Sequence, residues 1–344
     1  MAVDASPELM PTGASLDSRK VSWSDDHPLL ALTGHRAALG LVTLLAVSIL
    51  IFAATEVLPG NAAYAVLGHT ATQRSLKTLE AQLHLNRGVF DQYWLWISGL
   101  FTGKLGNSLA NGQPVWGYVA PRLVNSAVLV AISGVIGTVI AVLIGAFAAL
   151  RKDGWFDHVT SVFSLTVSAL PEFVVAIVLI VLFSTDVFHV LPGVSLLPPG
   201  TYAWNAPMLL VLPVVTLVIV ILPHIHRMMR AATIEALESD YVEMAQLKGV
   251  RRWRIVLMHA LPNAIAPTIQ VIGLNFLYLA GGIVIIEDVF NYPGVGQGLV
   301  NAVSDRDIPV IQLIVVVLAA FYVFVNILAD VVAMLASPRS RAVR

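Results

Sequence analysis

The chain of 344 residues has no cysteine. That absence excludes disulfides, thiolate metal sites, iron–sulfur ligation and a cysteine nucleophile. Charge is scarce as well. Asp, Glu, Lys and Arg make up 12% of the residues, against about 25% in soluble domains. The net charge of −1 gives no global field for attracting nucleic acid. Gly103-Lys104 is followed by Leu105, and no Gly-x-x-x-x-Gly-Lys-Ser/Thr loop is present to cradle ATP phosphates. A His-Glu-x-x-His helix, paired intramembrane aspartates and a Gly-x-Ser-Gly setting are also missing, so no intramembrane enzyme is indicated. The nine histidines are scattered, and His224 and His226 lie two apart on different helix faces, which does not build a His-only metal site.

What the chain has is apolar length. Hydrophobic residues make up 57% and the mean hydropathy is +0.81, the composition of a polytopic membrane protein. A span needs about 20 apolar residues, because the hydrocarbon core is about 30 Å thick and a helix rises about 1.5 Å per residue. Six stretches qualify: 37–58, 126–150, 159–184, 207–226, 264–286 and 310–335. Lys and Arg orient them. With the N-terminus inside, 14 of the twenty basic residues fall on the cytoplasmic side and 6 outside. Both termini are then cytoplasmic. Residues 1–36 read as a polar, partly disordered cytoplasmic extension without the apolar core of a signal peptide.

The loop 59–125 is too long for a simple connector. It holds a polar helical stretch near 71–86 and an aromatic cluster, Phe90, Tyr93, Trp94 and Trp96, which suits short helices at the membrane interface. The loop 185–206 is rich in Pro and Gly and reads as irregular. The loop 287–309 opens with Glu287-Asp288, turns through Asn291-Tyr292-Pro293-Gly294 and carries Gly296 and Gly298. It reads as a compact turn packed on the spans, as part of an outer gate or docking site, or as both. With Asp305 and Asp307 its acids form an acidic outer rim that either meets a partner or is simply solvated. Glu172, after Pro171 in the third span, is ionisable at membrane depth; it either lines a passage or pairs within the protein, and Pro171 should kink the helix there. Asp330 and Glu56 lie near span ends, where water is in reach.

The polar stretch 235–263 between spans four and five carries the most information. Arg227, Arg230, Lys248, Arg251, Arg252 and Arg254 fall in or just before it. A helix can start at Ser239 or Asp240, run through Tyr241, Met244, Ala245 and Lys248, and stop at Gly249. A basic turn and a second helix ending at Leu261-Pro262 follow. So ordered a polar segment on the positive side reads as a docking site for another protein.

Glu243-Met244-Ala245, Gly249 and Leu261-Pro262 resemble the Glu-Ala-Ala loop of ABC-type importer permeases, with Met244 in the middle Ala position and His259 in the Ile position. Arg227-Met228-Met229-Arg230 and Asp240-Tyr241 through Lys248-Gly249 are similar to the dipeptide, oligopeptide and nickel permease group. So are Glu287 through Phe290, Tyr292-Pro293-Gly294-Val295-Gly296, and Asp305 through Gln312. Leu58-Pro59-Gly60 and Leu105 through Ser108 look like its B-type subunit.

The resemblance covers 37–340 and implies an all-α type I ABC importer permease with six transmembrane helices, a core over 126–340 and a place in a bacterial inner membrane. It implies a second homologous permease, two cytoplasmic ATPase subunits that bind the ATP and Mg, and an extracytoplasmic binding protein. This chain would be non-catalytic, hold no cofactor and meet lipid but no nucleic acid. Tyr241, Glu243, Ala245, Lys248, Gly249, Leu261 and Pro262 would couple it to the ATPase, with Glu243 anchoring the loop. Glu172, Glu287, Asp288, Pro293, Gly294, Gly296, Asp305 and Asp307 are candidates for the pathway or outer gate. Peptides are the favoured cargo, with nickel or another small solute as the alternative. A transporter independent of ATP is the rival of a different class, and it would have no reason to carry a docking loop.

Overall fold

A computed structural model describes residues 28–57, 88–185, 187–197 and 201–336. The helix expected near 71–86 and residues 1–27 of the N-terminal extension lie outside these residues, while 28–36 open the first helix. Among the described residues there are helices and a single isolated bridge, Asn107 with Pro114, but no sheet. The helices are α1 (Pro28–Val57), α2 (Val89–Thr102), α3 (Val115–Leu150), α4 (Trp155–Ser168), α5 (Glu172–Ile180), α6 (Pro207–Leu237), α7 (Asp240–Leu247), α8 (Arg252–Ile255), α9 (Leu261–Val289), α10 (Val295–Ser304) and α11 (Ile308–Ala336).

Five helical stretches are long and apolar enough to cross a membrane, and α4 with α5 makes a sixth if the pair is one broken span. The break is sharp. α4 and α5 meet at 106° across Ala169–Pro171, so the third span is two helices at a corner rather than the kinked rod expected over 159–184. Pro171 has no N–H to continue α4 and disfavours helical backbone at Leu170.

α6 is the hub, packed chiefly on α3 and α9. Its approach to α3 is set by small residues. Gly137, Ala141 and Gly145 recur every four positions along one stripe, and such residues let helix backbones come close; Gly134, one turn earlier, instead makes room for the Phe276 ring of α9. A side chain at Gly145 would stand 2.7 Å from the His226 carbonyl and 3.0 Å from the Met229 Cβ. Pro213 frees the Leu209 carbonyl inside α6; Ser195 Oγ donates to that oxygen at 2.7 Å. α11 packs between α9 and α1, with Gln312 Nε2 donating to Thr55 Oγ1 at 2.8 Å and Arg36 Nε pairing with Asp330 Oδ2 at 3.0 Å.

α2 carries the aromatic cluster. Tyr93 and Trp96 lie 5.3 and 5.8 Å from the Phe52 ring of α1, and the Tyr93 hydroxyl meets Ser48 Oγ at 2.9 Å. Phe90 and Trp94 on the same helix are exposed.

The helical bounds differ from the expected spans at several ends. α1 begins at Pro28, α3 at Val115, and α6 continues past 226 to Leu237. The sequence beyond 226 is polar but helix-competent, so charge ends an apolar run without ending a helix. The second short helix does not end at Leu261-Pro262 either. A wide π turn, Val256–Ala260, joins α8 to α9, and the whole run Arg252–Val289 counts as one helical rod. Pro262 falls in the first turn of α9, and the wider turn preceding it makes room for a ring that an α-turn would exclude.

Candidate functional site

Two polar assemblies sit at opposite ends of the bundle, and a third lies between them. At the first, α7 is a helix of eight residues held at both ends. Ser239 is its N-cap in extended backbone, but its hydroxyl donates to Ala236 at 2.6 Å rather than capping α7. At the other end Gly249 has φ of 73°. Its N–H bonds the Gln246 carbonyl at 2.9 Å, and the Val250 N–H bonds Ala245 at 3.1 Å. This pair of bonds is a Schellman motif, which needs a left-handed residue at Gly249.

Val242 is fully buried and seats α7 on the bundle, while Asn263 Nδ2 donates to the Tyr241 hydroxyl at 3.1 Å. The outer face is uncovered: Tyr241 is 43%, Met244 53% and Leu247 77% exposed. Glu243, Lys248, Gly249 and Pro262 are exposed too, while Ala245 and Leu261 are half-buried. Among the described residues the Glu243 carboxylate makes no ion pair.

Two contacts brace this end from α4 and the turn before it. Arg230 of α6 grips Asp157 of α4 with two bonds, Nε to Oδ1 and Nη2 to Oδ2, the second at 2.6 Å. Asp157 also accepts from the Asp153 N–H at 3.0 Å. Lys152 Nζ pairs with Glu238 Oε1 at 2.6 Å, and that carboxylate raises the ammonium pKa above its usual value. Sequence reasoning missed Asp157. An acid in the first turn of a helix following a basic turn is its only trace.

At the far end lies Glu287, in the last turn of α9. It is fully buried. Ser126 Oγ donates to its Oε1 at 2.5 Å, and the Gly296 and Gln297 N–H groups donate to Oε2 at 2.7 and 3.3 Å. The carboxylate therefore caps the first turn of α10, where free N–H groups and the helix dipole favour negative charge. Asn125 completes the assembly: Nδ2 donates to the Pro293 carbonyl at 3.0 Å, Oδ1 accepts from the Ala203 N–H at 3.1 Å, and its carbonyl accepts from the Tyr292 hydroxyl at 2.8 Å. Burial raises the Tyr292 pKa, which keeps the phenol protonated as the donor.

Gly294 and Gly296 are required by space. A Cβ at Gly294 would fall on the Glu287 carboxylate, and one at Gly296 on Val284. Asp307 is likewise buried, accepting from the Ser108 hydroxyl and, at 3.0 Å, from the Leu109 N–H. The expected acidic rim is thus half as acidic as the sequence suggests. Asp288 and Asp305 are at the surface, whereas Glu287 and Asp307 hold neighbouring loops together.

The third assembly lies midway. Glu172, the first residue of α5, is 9% exposed and accepts from the Tyr278 hydroxyl of α9 at 3.0 Å. Tyr278 stands 6.4 Å, ring to ring, from His224 of α6. Tyr278 and His224 are exposed on the side of the bundle that these helices leave uncovered. Tyr278 gave no signal in the sequence.

A bent third span, a glycine-lined hub and an exposed helix slung between two spans define a helical membrane permease. The model of the family described as binding-protein-dependent transport system inner membrane component matches residues 141–342, and its N-terminal companion matches 30–131. The chain belongs to this family: it is a multi-pass inner-membrane permease subunit of an ABC importer, working in a complex with other subunits. It is 37% identical over 311 residues to a putative peptide permease protein of Brucella suis biovar 1, covering 89% of this chain and 97% of that one. It is 33% identical over 296 residues to a probable peptide ABC transporter permease protein of Sinorhizobium fredii, covering 86% and 94%. To the glutathione transport system permease protein of Escherichia coli K12 it is 32% identical over 304 residues, covering 88% and 96%.

Proposed function

We propose that this chain forms half of a translocation pathway for di- and oligopeptides and is driven by partner ATPases that dock on α7. The observation that carries the coupling role is α7 itself. It is an exposed apolar face of Tyr241, Met244 and Leu247 on a helix seated by Val242, closed by the Gly249 turn and joined to two long spans. A helix so fixed transmits a push instead of absorbing it. Glu243 and Lys248, in no ion pair among the described residues, then find partners on the ATPase. The peptide assignment is supported by relatives named for peptides and for glutathione.

In this reading α7 faces the cytoplasm, both termini are cytoplasmic, and the turn 290–298 faces outward toward a substrate-binding protein. A second, homologous permease covers the open side of α5, α6 and α9. ATP and Mg belong to the ATPase subunits, and this chain contributes no cofactor and no catalytic group. Closure of the ATPases on ATP draws the two docking helices together, and the spans follow as rigid bodies. Glu172, Asp288, Pro293 and Asp305 lie along or at the mouth of the pathway, and Glu287, Gly294, Gly296 and Asp307 hold the shape of the mouth.

The test is purification of the tagged chain in mild detergent, followed by ATPase assays with binding proteins loaded with dipeptide. Co-purification of ATPases and a second permease, with peptide-dependent hydrolysis, is the expected result. A chain that transports unaided would overturn it.

A further inference from the structure

We infer that Glu172, Tyr278 and the glycine pair Gly281-Gly282 form a subsite for the ammonium group of a passing solute. Glu172 is nine-tenths buried at the corner between α4 and α5. An ionised carboxylate offers about four acceptor sites, and here Oε2 takes one bond, from Tyr278. Oε1 takes none among the described residues, and it is not among the side-chain atoms sealed from the surface without a partner.

The floor beside it is bare. A Cβ at Gly282 would stand 2.7 Å from Oε2 and 3.2 Å from Oε1, whereas Gly281 faces open space. Glycine at 282 lets the carboxylate pack against α9, and glycine at 281 leaves the adjoining helix surface open. Tyr278, whose hydroxyl bonds the carboxylate, is half exposed, and a cation gains from an aromatic face. Tyr278 lies eleven residues from the Val289 end of α9, about 16 Å at the helical rise. A carboxylate at that depth costs free energy unless it faces protein, water or a cation.

The inference rests on the peptide-importer reading for its natural ligand, the amino terminus of a peptide, but not for its test. The importer complex is purified into nanodiscs, and its thermal unfolding is followed with Ala-Ala-amide, which carries the ammonium, and with N-acetyl-Ala-Ala-amide, which does not. The cationic probe should stabilise the wild type and the acetylated probe should not. Glu172→Gln should weaken the apparent affinity about tenfold or more, the loss expected for a charge-assisted hydrogen bond, with Tyr278→Phe giving a smaller loss. Equal response of the wild type to both probes overturns the subsite even if no variant assembles. Response to the cationic probe without uptake of Ala-Ala leaves the subsite standing and overturns the peptide cargo.

Discussion

At Gly249 the backbone φ of 73° is strained for every side chain and worst for a β-branched one. Nothing lies within 4 Å of its missing Cβ, so the cost of a side chain is conformational, roughly 1–2 kcal/mol. Gly249→Val should therefore unwind the end of α7 while leaving the chain inserted. We expect uptake to fall while ATPase stimulation by loaded binding protein persists, and unchanged uptake would refute the coupling role of this turn.

Glu287 behaves oppositely, since its effect is structural. Glu287→Ala leaves Ser126 and the two N–H groups of α10 unbonded in a dry site, a loss of roughly 3 kcal/mol. It should appear as a lower unfolding temperature and faster proteolysis within 290–298, and Glu287→Gln should lose less. The Gly249 stop could be read from the sequence, because a glycine after an amphipathic run has a local meaning. The burial of Glu287 could not, because Ser126 is 161 residues away and an acid at the end of an apolar run looks solvated.

Between helices, the contact of α3 with α6 depends on the missing side chains of one stripe. Gly145→Val would drive a branched side chain into the backbone of α6 at His226 and Arg230, and overpacking of this kind costs about 1–3 kcal/mol or more. Gly117→Ala, on the same helix with nothing within 4 Å, should be neutral or stabilising by up to about 1 kcal/mol. The unfolding temperature should fall for Gly145→Val and hold or rise for Gly117→Ala, and an equal fall in both would mean that the stripe does not set the approach.

The spans themselves were legible because about 20 apolar residues have few other uses. The corner at Ala169–Pro171 was hidden because both of its arms are apolar. Pro171 marked the place but not the angle, which is fixed by what α4 and α5 pack against. The length of α6 was hidden for the opposite reason. Arg230 looks like the end of a span until Asp157, on another helix, is found to hold it.

For the whole molecule, orientation is the property with the simplest test. The distribution of Lys and Arg is the basis for the proposed inward-facing α7, and the absence of cysteine means that one introduced thiol reports alone. In intact cells, Asn301→Cys should react with a membrane-impermeant maleimide and Gln246→Cys should not, until the membrane is opened. The reverse pattern would invert the assignment of every loop.

From Arg252 to Val289 the chain stays helical through the π turn at Val256–Ala260. These 38 residues span about 57 Å, with α7 joined near one end and the Glu287 cap of α10 at the other. A stiff beam pivoting near its middle converts a small rotation into equal and opposite strokes. A tilt of ~10°, modest among subunit rotations in switching proteins, moves each tip by about 5 Å. Because Glu287 grips α10, that stroke carries the turn 290–298 bodily with it, so the proposed mouth of the pathway would be the far arm of a lever rather than a loose flap.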